Sequence, residues 1–161
     1  MRTTFLKTLS LKSLIALCCI AAIGLLASCS KDKDKPETPD GKTAKFTVTI
    51  QGDINPDDVS MSFVFVGVTN NNDKTLWKLN GATQNNEQGV SLDENNFTGS
   101  TKTYVIESVR SLDVVKATIQ CFNFGQPYKV SFKAEINGKV ITDDKDVTVQ
   151  EGKDYTHAFD Y

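Results

Sequence analysis

The chain is 161 residues long, with 18 basic and 20 acidic side chains, a net charge of −2 and 39% hydrophobic residues. That length fits one domain of ordinary size and is too short for an enzyme that carries its own cofactor domain. The acidic balance argues against nucleic acid as a partner, because phosphate binding needs a clustered basic face.

The first elements concern targeting. Residues 1–12 carry Arg2, Lys7 and Lys12 and no acid, and residues 13–26, SLIALCCIAAIGLL, form an apolar run. The run is shorter than the roughly 20 residues that span a bilayer and reads as the apolar core of a signal peptide. It leads into Leu26-Ala27-Ser28-Cys29. This tetrapeptide resembles the lipobox of bacterial lipoproteins. The resemblance implies diacylglyceryl transfer to the Cys29 thiol, cleavage after Ser28 and acylation of the new amine. Loss of three leader cations would take the net charge from −2 to −5. Residues 30–42 alternate Lys with Asp, hold Pro36 and Pro39, and contain no large apolar side chain. Such a segment cannot build a core and reads as a disordered, extended tether. It is similar to the charged export signals of Bacteroidetes surface lipoproteins, which implies an outer-membrane, surface-facing position. The expected division is a signal peptide over 1–28, a lipidated Cys29 with its tether over 29–42, and one folded domain over 43–161.

From residue 44 onward the dominant hydrophobic period is two. Phe46, Val48 and Ile50 alternate with polar residues and predict a half-buried strand. Residues 59–68 place Val59, Met61, Phe63 and Phe65 on one face and Val64, Val66 and Val68 on the other, which predicts a strand that is covered on both sides or passes into a sheet interior. The Asn-rich stretch at 70–73 predicts a turn, 75–79 a short strand, 80–89 a loop, and 89–92 another short strand. Strands are predicted over 102–108, 114–124 and 128–136. Asn137-Gly138 predicts a tight hairpin into a return strand. Asp143-Asp144-Lys145-Asp146 reads as a second acidic turn, and Tyr155, His157, Phe159 and Tyr161 share one face of a terminal strand. Eight or nine short strands without a helix predict an all-β fold, an antiparallel β-sandwich of immunoglobulin-like or transthyretin-like architecture.

Few residues suggest chemistry. Of the four Cys, only Cys121 falls in the folded part, so no intramolecular disulfide is expected there. Its apolar surroundings predict a buried small hydrophobe. His157 is the single His, which excludes a His-rich zinc set and leaves no local triad partner. Phosphate-binding glycine loops are absent. Asp53, Asn55 and Asp57 have the D-x-N-x-D spacing of a calcium loop and are the calcium candidates. Asp58 and Val64 stand where the full loop needs Gly and Glu. No metal or cofactor is therefore assigned. Trp77, on a short strand between polar loops, is the candidate ligand-binding residue.

These features predict a lipid-anchored cell-envelope protein that is not an enzyme. It would be a non-catalytic binding module for a glycan or a protein partner, with the membrane met through its anchor. The alternatives are an envelope enzyme inhibitor, or an accessory fimbrial or structural subunit. The plan loosely resembles Bacteroidetes fimbrillin-type proteins, whose N-terminal Arg processing site has no counterpart in the mature chain, where Arg110 is the one Arg.

Overall fold

A computed structural model describes residues 41–161. The expected leader, the lipobox Cys29 and most of the tether lie outside the described residues. Among the described residues ten strands form two antiparallel sheets, and the only helical pieces are 3₁₀ turns at Pro56–Asp58 and Glu94–Phe97. The strands are β1 (Ala44–Gln51), β2 (Val59–Val68), β3 (Trp77–Leu79), β4 (Ala82–Gln84), β5 (Gly89–Asp93), β6 (Lys102–Ser108), β7 (Val114–Asn123), β8 (Tyr128–Ile136), β9 (Lys139–Val149) and β10 (Asp154–Asp160). One sheet has the order β4-β3-β6-β1-β8-β9 and the other β10-β7-β2-β5. The fold is the all-β antiparallel sandwich that the period-two pattern predicts.

Alternation decides what lies between the sheets. Phe46, Val48 and Ile50 of β1 meet Phe63 and Phe65 of β2, and all five are at most 1% exposed. The rings of Phe46 and Phe65 stack at 4.7 Å, with Phe132 of β8 6.1 Å from Phe46. Offset aromatic pairs of this kind add to the burial of their area. Cys121 is fully buried.

The hairpin at Asn137-Gly138 forms as predicted, with both residues in the left-handed region at φ 52° and 73°. That conformation matches the twist of the flanking strands and suits Asn-Gly.

β2 takes the sheet-interior alternative, between β7 and β5, and not the one covered on both sides: Val66 and Val68 are 36% and 42% exposed. Two expectations are corrected. The loop expected over 80–89 contains β4, which pairs with β3. The acidic run 143–146 lies inside β9 and makes no turn between strands. Its Asp146 has φ 50° and sits at a register shift opposite β8, accepting from Ser131 and Gln51. One left-handed residue absorbs the extra length as a bulge, so the strand continues through a turn-like composition.

Candidate functional site

The strand registers bring four connections to one end of the sandwich. Gln51 lies opposite Lys129, Ile50 opposite Lys102, Val59 opposite Asn123 and Tyr128 opposite Val149. The connections 52–58, 98–101, 124–127 and 150–153 therefore share that end.

The 52–58 connection is fixed from both sides. Ile54 is 5% exposed and bridges Gly99 through paired backbone hydrogen bonds of 3.2 and 3.4 Å. Pro56 then opens the 3₁₀ turn. Asn55 caps that turn: its Oδ1 accepts from the Asp57 backbone N–H, and its Nδ2 donates to Asp58 Oδ2 at 2.8 Å. The Asp58 carbonyl accepts from the Phe124 N–H at 2.8 Å. The 124–127 connection hangs on Asn123, which is 1% exposed. Its Nδ2 donates to the carbonyls of Val149 and Gln126, at 2.8 and 3.1 Å, and its Oδ1 accepts from the Gly125 N–H at 2.9 Å. Gly125 is required by close approach, since a Cβ there would fall 2.7 Å from Asp58 Cβ.

Between these connections lies a pocket of about 250 Å³, lined by Asp53, Asn55, Asp58, Gln126 and Pro127 among others. A second hollow of about 430 Å³ shares Asp53 and adds Gly52, Ser100 and Thr101. Asp53 thus stands on the ridge between two concavities.

The sequence trio is divided by this geometry. Asp53 and Asn55 line the pocket and Asp57 does not; Asp58 takes its place. The reason is the 3₁₀ turn, in which each residue advances about a third of a revolution, so neighbouring carboxylates diverge. Spacing alone treats the segment as a loop and misses the rotation. Among the described residues no three His, Cys, Asp or Glu side chains gather closely enough to hold a metal ion. The polar side chains that line the pocket, Asp53, Asn55, Asp58 and Gln126, have only oxygens to offer a metal. Oxygen donors are the kind that Ca²⁺ takes.

Trp77 is corrected as a ligand-binding residue. It is fully buried, its indole Nε1 donates to the Gln88 carbonyl at 2.9 Å, and its ring lies 6.1 Å from Phe46. Gly67 makes the room: a Cβ there would sit 2.9 Å from Leu112 Cδ1 and 3.1 Å from Trp77 Cζ2. The exposed aromatics are instead Phe124, at 64%, and Phe122, at 40%. Phe124 is held beside Asp58 by its own backbone N–H. Parity carries the signal that would have found them. Ile119 and Cys121 point inward, so Phe122 and Phe124 fall on the outer face.

His157 is exposed on β10, 4.5 Å from the Tyr155 ring and 5.6 Å from Phe159. Burial pushes the Cys121 thiol up to about 12, so it stays protonated and is no nucleophile.

The architecture is a two-sheet sandwich with loop-built concavities at one end. Residues 3–158 match the family described as PLAT/LH2 and C2-like Ca²⁺-binding lipoprotein, and the chain belongs to that family. Its members are lipoproteins, which places the chain at a membrane of the cell envelope. Three solved structures share the fold. The calcium-bound form of a protein from Parabacteroides distasonis, solved by NMR, has a TM-score of 0.53 at 17% identity, over 81% of this chain and 98% of that one. A DUF4425 family protein from Bacteroides ovatus has a TM-score of 0.51 at 15% identity, over 75% and 94%. A DUF4425 domain of unknown function from Bacteroides vulgatus has a TM-score of 0.50 at 12% identity, over 76% and 94%. No curated protein matches the sequence.

Proposed function

We propose that the protein is a lipid-anchored, non-catalytic binding module of the cell envelope, whose loop end takes a calcium ion and meets a glycan or protein partner there. The observation that carries this is the convergence of Asp53, Asn55 and Asp58 on one pocket, beside the exposed Phe124. Calcium is supported by the all-oxygen donor set and by the description of the family. Anchoring through Cys29 is supported by the lipobox-like sequence, and the outer membrane by the charged tether.

Asp53 and Asp58 would supply the charge that holds the ion, and Asn55 and Gln126 neutral oxygens. The ion would supply a fixed positive charge to an acidic end. Asn123 and Gly125 hold the 124–127 connection against Asp58, which keeps Phe124 beside the pocket. Phe124 offers apolar area of the kind that anchors recognition. A non-catalytic role is supported by the buried, protonated Cys121 and the isolated His157.

Thermal unfolding of the purified full chain tests this reading. Millimolar Ca²⁺ is expected to raise Tm and EDTA to lower it, because a ligand held only by the folded state stabilises that state. Asp53→Asn is expected to abolish the response. A Tm indifferent to both additions would overturn the calcium reading.

A further inference from the structure

The two sheets have four edges among the described residues, and three are protected. β4 has three residues, and β5 has five and runs straight into a 3₁₀ turn. β9 carries two register shifts against β8 and the charges of Asp143, Lys145 and Asp146 along its length. Short edges, bulges and charged side chains are the devices that prevent pairing with another chain. β10, with seven residues, DYTHAFD, is neither as short as β4 and β5 nor bulged: its register with β7 is unbroken from Asp154 to Asp160, and its two carboxylates, Asp154 and Asp160, stand only at its ends. Thr156, His157 and Ala158 are all exposed.

The hydrogen bonds show which backbone groups are free. Tyr161 N–H donates to the Val115 carbonyl at 3.0 Å, and the Lys153 carbonyl accepts from Asn123 at 3.1 Å. Both pairs follow the β10–β7 register. Bonding alternates along an antiparallel strand, so the odd residues of β10 are bonded to β7. The N–H and C=O groups of Asp154, Thr156, Ala158 and Asp160 therefore point away from the sheet.

We infer that β10 is a self-association edge, where a second copy of this chain adds its own β10 antiparallel and joins two four-stranded sheets into one of eight. The strand is self-complementary when Ala158 faces Ala158 of the second copy. Thr156 then faces Asp160, so no like charges oppose. On the inner face, His157 faces Phe159 and Tyr155 faces Tyr161. This extends across both copies a ladder already present in one, with ring separations of 4.5, 5.6 and 5.7 Å from Tyr155 to Tyr161. Aromatic cross-strand pairs stabilise sheets, and like charges directly opposite destabilise them. Centring the pairing on His157 would set Asp154 against Asp160 twice, which selects the Ala158 register.

Mild oxidation of membranes carrying the full chain tests both pairing and register. In the Ala158 register the two Cα atoms lie about 5.5 Å apart, within disulfide reach. The two copies of residue 154 lie roughly 25 Å apart along the strands. Ala158→Cys is expected to give a covalent dimer, and Asp154→Cys none. The detergent-solubilised full chain is expected to have the mass of a dimer. Ala158→Lys, at an exposed outer-face position, should return it to monomer by opposing two ammonium groups. A monomeric wild-type chain, a cross-link at 154 in place of 158, or a cross-linked product of unequal partners would overturn the proposal.

Discussion

The Tyr155 hydroxyl donates to Asp144 Oδ2 at 2.6 Å and so ties β10 of one sheet to β9 of the other. The two strands are sheet neighbours of different partners, and this bond closes the sandwich along that side, with Tyr161 and Thr142 in contact at 3.5 Å further along. A hydrogen bond to a charged acceptor contributes about 1.5–3 kcal/mol. Tyr155→Phe keeps the buried ring and removes only the donor. Chemical denaturation is expected to show a loss in that range with an unchanged m-value; an unchanged midpoint would mean that the bond adds nothing.

Alkaline pH addresses the same side of the molecule. Burial pushes the Tyr155 phenol up, and its hydrogen bond to Asp144 pushes it further; burial also raises Tyr128, Tyr161 and, to about 12, Cys121. Each proton is held more tightly in the folded chain than in the unfolded one. Their stabilisation is therefore full below the unfolded values, about 9 for the thiol and about 10 for the phenols, and is lost as pH rises beyond them. A Tm from these groups that stays level through neutral pH and declines above about pH 9 is the expected profile. A Tm that rises over that interval would contradict it.

Asn123 is the support of the loop end. Its side chain satisfies two carbonyls and one N–H from a buried position. Asn123→Ala leaves those groups without partners, at a cost of about 1–3 kcal/mol. The same substitution removes the side-chain anchors that shape the 124–127 connection and leaves its backbone bond to Asp58, so the Ca²⁺-induced rise in Tm is expected to shrink along with basal stability. Loss of stability with a full calcium response would show that the connection does not contribute to the pocket.

Trp77 gives a spectroscopic check of the packing. A fully buried indole bonded to Gln88 should emit to the blue and resist aqueous quenchers. Trp77→Ala empties a large core site and is expected to cost about 3–5 kcal/mol. Red-shifted, readily quenched emission from the folded chain would restore Trp77 to the surface.

Much of the sandwich is legible in the sequence because one physical rule, alternation against a half-buried sheet, governs Phe46 to Ile50 and Tyr128 to Ile136 alike. The Asn137-Gly138 turn is legible because only residues tolerant of positive φ fit it. Where local composition and tertiary context conflict, the reading fails. Trp77 sits among polar loops, yet Gly67 and Leu112, both distant in sequence, shape a cavity for it. The run 143–146 has turn composition, yet a single bulge at Asp146 lets β8 hold it as strand. The candidate pocket is assembled from connections that only the β1–β8 and β2–β7 pairings bring together. Asp58 and Gln126 could not be matched from spacing, and the exchange of Asp57 for Asp58 depends on the pitch of one 3₁₀ turn.

The most direct test is a Ca²⁺ titration of the isotope-labelled chain followed by its backbone amide resonances. Saturable shifts concentrated in 52–58, 98–101 and 124–127, lost in Asp53→Asn and in Asp58→Asn, are the expected result. Silence in those segments at millimolar Ca²⁺, or shifts centred on the opposite end around 70–73 and 110–113, would contradict a calcium-dependent binding end.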